Sequence, residues 1–170
     1  NGTKIKISLL ICNNKNAFGI VRARKYGLET TIISHENFTC RQEFDKVLVE
    51  KIKSANVDLV VLAGFMRILT PVFCDNVRAI NLHPSILPLF KGANAIKESF
   101  QSDMQIGGVS VHWVSSELDS GKIIAQRSFK RKNRDFKAWE KKIHAIEQNT
   151  GVSILIKPAS TTFHLAQMIL

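Results

Sequence analysis

The 170 residues hold no apolar run near the ~20 positions that a membrane-spanning helix needs, so no helical span is expected. Cysteine is scarce. Cys12, Cys40 and Cys74 are too few and too scattered for a disulfide framework or a CxxC metal site. No charged segment followed by an apolar stretch and a small-residue cleavage site stands ahead of the first strand-like run, so no secretory signal is read. Internal repeats, linkers and low-complexity tracts are lacking too. What remains is ordinary globular material: 45% hydrophobic and 22% charged residues, in a length that suits one full-cored domain. The expectation is a reduced, cytoplasmic, single-domain protein.

Negative charge is in short supply as well. Asp and Glu number 14 against 24 Lys and Arg, for a net charge of +10. Much of the excess is local: Arg127, Lys130, Arg131, Lys132, Arg134, Lys137, Lys141 and Lys142 stand against only Asp135 and Glu140. Such a field suits a nucleic acid or a polyanionic small substrate. Without interleaved aromatics or an RNP-like motif, the plainer reading is a solvated strand-and-helix face.

The pattern along the chain alternates. Lys4 to Cys12 is aliphatic and β-branched, with Asn13 to Asn16 as a loop after it. Ala17 to Tyr26 reads as a helix, and Gly27 stands where a C-cap glycine belongs. Thr30 to Ile33 is a short strand. Thr39 with Gln42 resembles a capping box, and Phe44, Val47, Leu48, Ile52 and Ala55 follow at helical spacing. Val57 to Ala63 is nearly all apolar, as a strand covered on both faces should be, and Val77 to Leu82 is another strand. A helix near Ala93 to Gln101, strands over Val109 to Val114 and Ile123 to Phe129, and a helix over Phe136 to Glu147 complete the series. Strands and helices in turn, with short connections, imply an α/β domain with a mostly parallel sheet flanked by helices. Such sheets bind ligands at the carboxyl ends of their strands, which singles out Gly64 with Phe65, Met66 and Arg67, and Asn81 with His83.

Asn81 and His83 lie two apart at a strand end, so their side chains share a face. An amide and an imidazole side by side can donate to one oxygen, as an oxyanion in acyl transfer requires. Pro84 holds the residue before it extended. A satisfied loop histidine beside a turn-forming asparagine is the alternative. Asp119, in Glu117-Leu118-Asp119-Ser120-Gly121, stands where an Asp is most often a self-capping turn residue; facing His83, it would favour the imidazolium and relay a proton through water. His112, alternating with Val111 and Trp113, reads as a sheet histidine. His83, His112 and Asp119 lack the close spacing of zinc ligands. Ser85 has no Gly-x-Ser-x-Gly elbow, and no cysteine sits in an activating motif.

Three segments together resemble a known family: Ala63-Gly64-Phe65-Met66-Arg67-Ile68-Leu69; Asn81-Leu82-His83-Pro84-Ser85-Ile86-Leu87-Pro88 with Gly92; and Gly108 to Val114 with Glu117 to Gly121 and Ile123 to Gln126. In order and spacing they are similar to the folate-dependent phosphoribosylglycinamide formyltransferases of purine synthesis, and Cys12 to Gly19 fits as well. The resemblance runs from about Lys4 to Glu147. It implies a single Rossmann-like formyltransferase domain over residues 1–148, N-terminally incomplete, with an atypical tail over 149–170. It implies transfer of a formyl group from 10-formyltetrahydrofolate, as co-substrate, to the amine of glycinamide ribonucleotide, without a metal or covalent intermediate. Asn81 and His83 would hold and polarise the formyl oxygen, and Asp119 would orient His83 and shuttle protons. Met66, Arg67, Ile68 and Leu69 would line the pterin cleft opposite Val114, Ser115, Ser116 and Glu117, with Arg67 suited to the glutamate tail. Gly64, Phe65, Pro84, Ser85 and Glu147 would meet the ribonucleotide. The implied partners are these small molecules, not nucleic acid or membrane, for a monomer or weak homodimer.

Departures from the family are plain. The Gly-x-Gly-Ser-Asn loop that cradles a phosphate on backbone N–H groups, and the strand before it, are not found in these residues. Without that strand, apolar edges are expected at Lys4 to Cys12 and Val57 to Ala63. Asn94 replaces a usual histidine, and Gln148 to Gly151 leave the family pattern. A formyltetrahydrofolate hydrolase would show Asn-x-His-His-Ser and an extra domain. A methionyl-tRNA formyltransferase would show Arg-Gly-Ala-Ala-Pro where Lys91 to Ala95 stand, and a further RNA-binding domain. An inactive remnant binding nucleic acid through Arg127 to Lys142 is the reading from another class.

Overall fold

The structure, a computed structural model, describes residues 5–155 and 163–169. In chain order the elements are β1 (Ile5–Cys12), α1 (Phe18–Lys25), β2 (Thr30–Ile32), α2 (Arg41–Ser54), β3 (Leu59–Ala63), α3 (Pro71–Cys74), β4 (Ala79–His83), α4 (Ala95–Gln101), β5 (Ile106–Trp113), β6 (Ile123–Lys130), α5 (Phe136–Leu155) and β7 (Phe163–Ile169). The seven strands form a mostly parallel sheet in the order β2-β1-β7-β3-β4-β5-β6. The α/β expectation holds. Among the described residues no helix is long and apolar enough to cross a membrane. By contacts the chain divides into two compact units, one taking the chain through Ile80 together with β7, the other running from Asn81 through α5.

In the first unit, local chemistry shapes the helices. Gly27 takes a left-handed φ of 64°, which only glycine adopts without strain. There the Gly27 N–H bonds Arg24 O at 3.1 Å and the Leu28 N–H bonds Ala23 O at 3.0 Å, the two reciprocal bonds that close a helix C-terminus. The capping pair of α2 differs by one residue from the sequence expectation. Glu43, not Gln42, reaches back to Thr39, accepting from its Oγ1 at 2.8 Å and its N–H at 3.2 Å. The helix starts at Arg41 behind an N-cap Cys40, so the residue three into the helix is Glu43. Phe44, Leu48 and Ile52, four apart, are buried, as is the whole of β3 up to Leu62.

The sequence expectation of apolar strand edges flanking a missing central strand is corrected by β7. It pairs in parallel with β1 on one side and β3 on the other, Met168 lying opposite both Ile11 and Leu62. Leu165, Ala166 and Met168 are buried. The residues from Asn149 on, set apart as a tail in the sequence reading, thus supply the end of α5 and a strand inside the sheet. His164 pins the register. Its Nδ1 lies 2.9 Å from Ser8 Oγ, at the bulge in β1, and its N–H donates to Asp58 Oδ2 at 2.7 Å. Asp58 returns its own N–H to His164 O at 2.8 Å.

The second unit is built on antiparallel β5 and β6, with Val109, Trp139 and Ile143 buried beneath Ile96, Phe100, Phe129 and Ile146. Arg131, one of the clustered basic residues, serves this core. Its Nη2 donates to Ser99 O and Phe100 O at 3.1 and 2.8 Å, and its guanidinium lies 4.7 Å from the Trp139 ring centroid. Those carbonyls belong to the last turn of α4, whose orphan acceptors a cation satisfies.

Candidate active site

Extended backbone at the end of β4 puts Asn81 and His83 on one face. His83 is 4% exposed and Asp119 carries a side chain 9% exposed. His83 Nδ1 lies 3.4 Å from Asp119 Oδ2, and Asn81 Nδ2 lies 3.5 Å from Asp119 Oδ1. The amide, imidazole and carboxylate singled out from the sequence therefore stand together. Asp119 reaches them from a loop with a left-handed φ of 47°. Gly121 then lets the chain return: a Cβ there would sit 1.7 Å from Trp113 O, a backbone atom that cannot move aside.

Sequence reasoning placed His112 in the sheet and stopped there. It is indeed hydrogen-bonded, with Nδ1 donating to Trp113 O at 2.8 Å, yet it also belongs to the site. Its Nε2 faces Asn81 Nδ2 at 3.2 Å and Asp119 Oδ1 at 3.5 Å. A neutral ring accepts there from the amide; a protonated one donates to the carboxylate. Burial gives no signal, since the strand is buried from Gly107 to His112; what sets the pair apart is that Ser110 and His112, two apart, are its polar residues.

Burial by itself would raise the Asp119 carboxyl. The hydrogen bond from His112, the Gly92 N–H at 2.8 Å from Oδ2 and the nearby charge of two imidazoles outweigh it and hold the carboxyl below its ordinary range. Asp119 is thus a fixed anion between two histidines whose rings lie 6.5 Å apart, centroid to centroid. Such a set can donate two hydrogen bonds to a developing oxyanion and hold a proton nearby.

The other singled-out residues are placed as follows. Gly64, with φ 71°, follows β3 in the first unit, with Phe65 half-buried, Met66 and Ile68 exposed, and Leu69 buried. Arg67 lies over the Phe44 ring at 5.6 Å. Asp45, buried on α2, accepts from Thr70 N–H and Oγ1, both at 2.6 Å, and so anchors the end of this segment. In the second unit Val114 and Ser115 are half-buried, and Ser116 and Glu117 exposed. Pro84 is half-buried; Ser85 is buried with its hydroxyl on Leu89 O at 2.6 Å. Glu147 Oε2 lies 2.7 Å from His144 Nδ1. Asn94 is exposed and makes no side-chain cap bond at the start of α4. Among the described residues no cluster of three His, Cys, Asp or Glu could hold a metal ion.

The sheet carries an amide, an imidazole and a carboxylate together at a strand end, the kinds of group that an acyl-transfer site uses. The formyl transferase family matches residues 1–155, and the chain belongs to it. It is 38% identical over 128 residues to phosphoribosylglycinamide formyltransferase of Escherichia coli, covering 74% of this chain and 60% of that protein. The human trifunctional purine biosynthetic protein adenosine-3 is 36% identical over 132 residues, which is 76% of this chain but 13% of that one. The crystal structure of phosphoribosylglycinamide formyltransferase from Campylobacter jejuni superposes with a TM-score of 0.84 at 47% identity, over 91% of this chain and 100% of that one. The chain thus spans about 60% of the bacterial relative and a small part of the trifunctional ones.

Proposed function

We propose that the protein transfers a formyl group from 10-formyltetrahydrofolate to the amine of glycinamide ribonucleotide. The convergence of Asn81, His83 and Asp119 carries this reading, the names of the relatives support the ribonucleotide as acceptor, and the family resemblance of the sequence suggests the folate donor. The folate supplies a formyl group on nitrogen, ready for direct transfer. As the amine attacks, a nitrogen–carbon bond forms, the bond to the folate nitrogen breaks, and one proton passes from the amine to that nitrogen. Asn81 Nδ2 donates to the carbonyl oxygen as it gains charge, and the His83 imidazole donates to it from Nδ1 once that nitrogen has taken up the amine's proton. Asp119 keeps His83 oriented and holds the nearby proton through water. When its ring is neutral, His112 accepts from Asn81 Nδ2 on Nε2 and so holds that amide in place.

Met66, Arg67, Ile68, Leu69, Val114, Ser115, Ser116 and Glu117 would bind the folate, Arg67 pairing with its carboxylate tail. Gly64, Phe65, Pro84, Ser85 and Glu147 would meet the ribonucleotide. The formyltransferase domain, expected over residues 1–148, takes in the end of α5 and β7 as well, and acts in the cytoplasm on small molecules rather than nucleic acid, as a monomer or weak homodimer. The test is direct: purified protein, both substrates, and detection of formylated ribonucleotide. Product that depends on both substrates, and falls about a hundredfold or more in His83→Ala with folate affinity kept, supports the reading. Equal turnover in His83→Ala overturns it.

A further inference from the structure

Phe90 holds a left-handed backbone, φ 56°, which a bulky side chain seldom accepts. Strain of this kind persists where the surroundings over-determine it, and the surroundings here are explicit. Ser110 Oγ, fully buried, donates to Ser85 O at 2.7 Å and accepts from Leu87 N–H at 2.9 Å. Gln126 Nε2 donates to Leu87 O, also at 2.9 Å. Ser85 Oγ ties down Leu89 O. The loop is therefore fixed from Ser85 to Leu89. At Phe90 it turns so that its carbonyl meets His83 Nε2 at 2.8 Å, and Gly92 next presents its N–H to Asp119.

A carbonyl only accepts, so Nε2 of His83 carries a proton and Nδ1 is the nitrogen turned to Asp119. We propose that Phe90 is a positioning residue: its left-handed backbone aims a carbonyl that fixes the His83 ring, leaving Nδ1 as the working nitrogen. Were the carbonyl to swing away, the ring could turn over and present the wrong nitrogen, as a histidine deprived of its orienting partner does. This inference rests on the formyl-transfer reading of His83.

Four substitutions separate backbone from side chain. Phe90→Gly, Phe90→Asn, Phe90→Ala and Phe90→Val all remove the ring. Glycine and asparagine accept a left-handed φ, alanine less readily, and β-branched valine least. The expected order of kcat is Gly and Asn above Ala above Val, with Val about tenfold or more below Asn and KM values within about threefold. If Phe90→Val does not fold, Asn against Ala decides in the same way. Independently of turnover, ¹⁵N spectra of the unliganded protein should show the His83 proton on Nε2 in wild type and Phe90→Asn, and mixed tautomers in Phe90→Val or Phe90→Ala. Should wild type transfer no formyl group while these spectra behave as stated, the activity reading fails and the positioning by Phe90 stands. Equal kcat and equal spectra in Asn, Ala and Val overturn the proposal. So does a loss in Gly and Asn as large as in Val, which would assign the effect to the aromatic ring.

Discussion

Met168→Ala tests the placement of β7 most sharply. Met168 is fully buried, with strands on both sides: Ile11 of β1 and Leu62 of β3. Neither neighbour can close the space without breaking its own ladder, so the site collapses poorly and a cavity remains. Large-to-small changes at such sites cost roughly 2–5 kcal/mol, and about 3 kcal/mol is the expectation here. For a chain of this size that lowers Tm by about 6–12 °C. In urea, with a slope near ~2 kcal/mol/M, the midpoint falls by about 1.5 M while the slope is unchanged. Leu165→Ala, at 3% exposure on the same strand, should behave alike. Val21→Ala, on an α1 position 60% exposed, is the control and should change stability by no more than about 0.5 kcal/mol. A Met168→Ala midpoint as close to wild type as that of Val21→Ala would refute the central position of β7.

Other expectations concern the site. Asp119 is held below its ordinary range, so its ionised form contributes stability that is fully present above the unfolded value of ~3.9 and is lost as pH falls through the lower folded one. The urea midpoint of Asp119→Asn should lie below wild type at pH 7, and the gap should shrink as pH drops below about 4; a constant gap would remove the anionic role. His112→Phe keeps the shape of the ring but frees the Asn81 amide, and kcat should fall about tenfold or more with KM little changed; unaltered kcat would leave His112 a packing residue. Gly121→Ala pushes a methyl against Trp113 O, so the Asp119 loop must shift; an assay of transfer together with a thermal melt should show both activity and Tm reduced, and normal values in both would argue that the turn has room.

Much of the frame was legible because its causes are local. Continuous apolar runs marked β1 and β3, helical spacing marked α2, and Gly27 announced the end of α1 through the one conformation that it alone takes freely. Asn81 and His83 were readable as a pair because a strand puts residues two apart on one face. The shift from Gln42 to Glu43 in the α2 cap shows the limit even here: both residues fit the pattern, and only the observed start of the helix selects one. The end of α5 and the strand β7 lie where the chain leaves the pattern of the family it resembles, and a short apolar run there had no element beside it in sequence to suggest a partner.

By itself, then, the order of residues determined the strands from β1 to β6, the helices α1, α2 and α4 and the first part of α5, that the sheet is mostly parallel, and which polar residues stand at a strand end. Periodicity and turn chemistry act over a few neighbouring positions. Only the tertiary structure decided that the last described strand enters the sheet between β1 and β3, and that Asp119 meets His83 and His112 from a separate loop. It alone decided that the carbonyl of Phe90 fixes one nitrogen of the site histidine. These contacts join positions far apart in the chain, or backbone atoms that no side-chain type encodes. They form because folding buries the strands and leaves the polar atoms at their ends to satisfy one another.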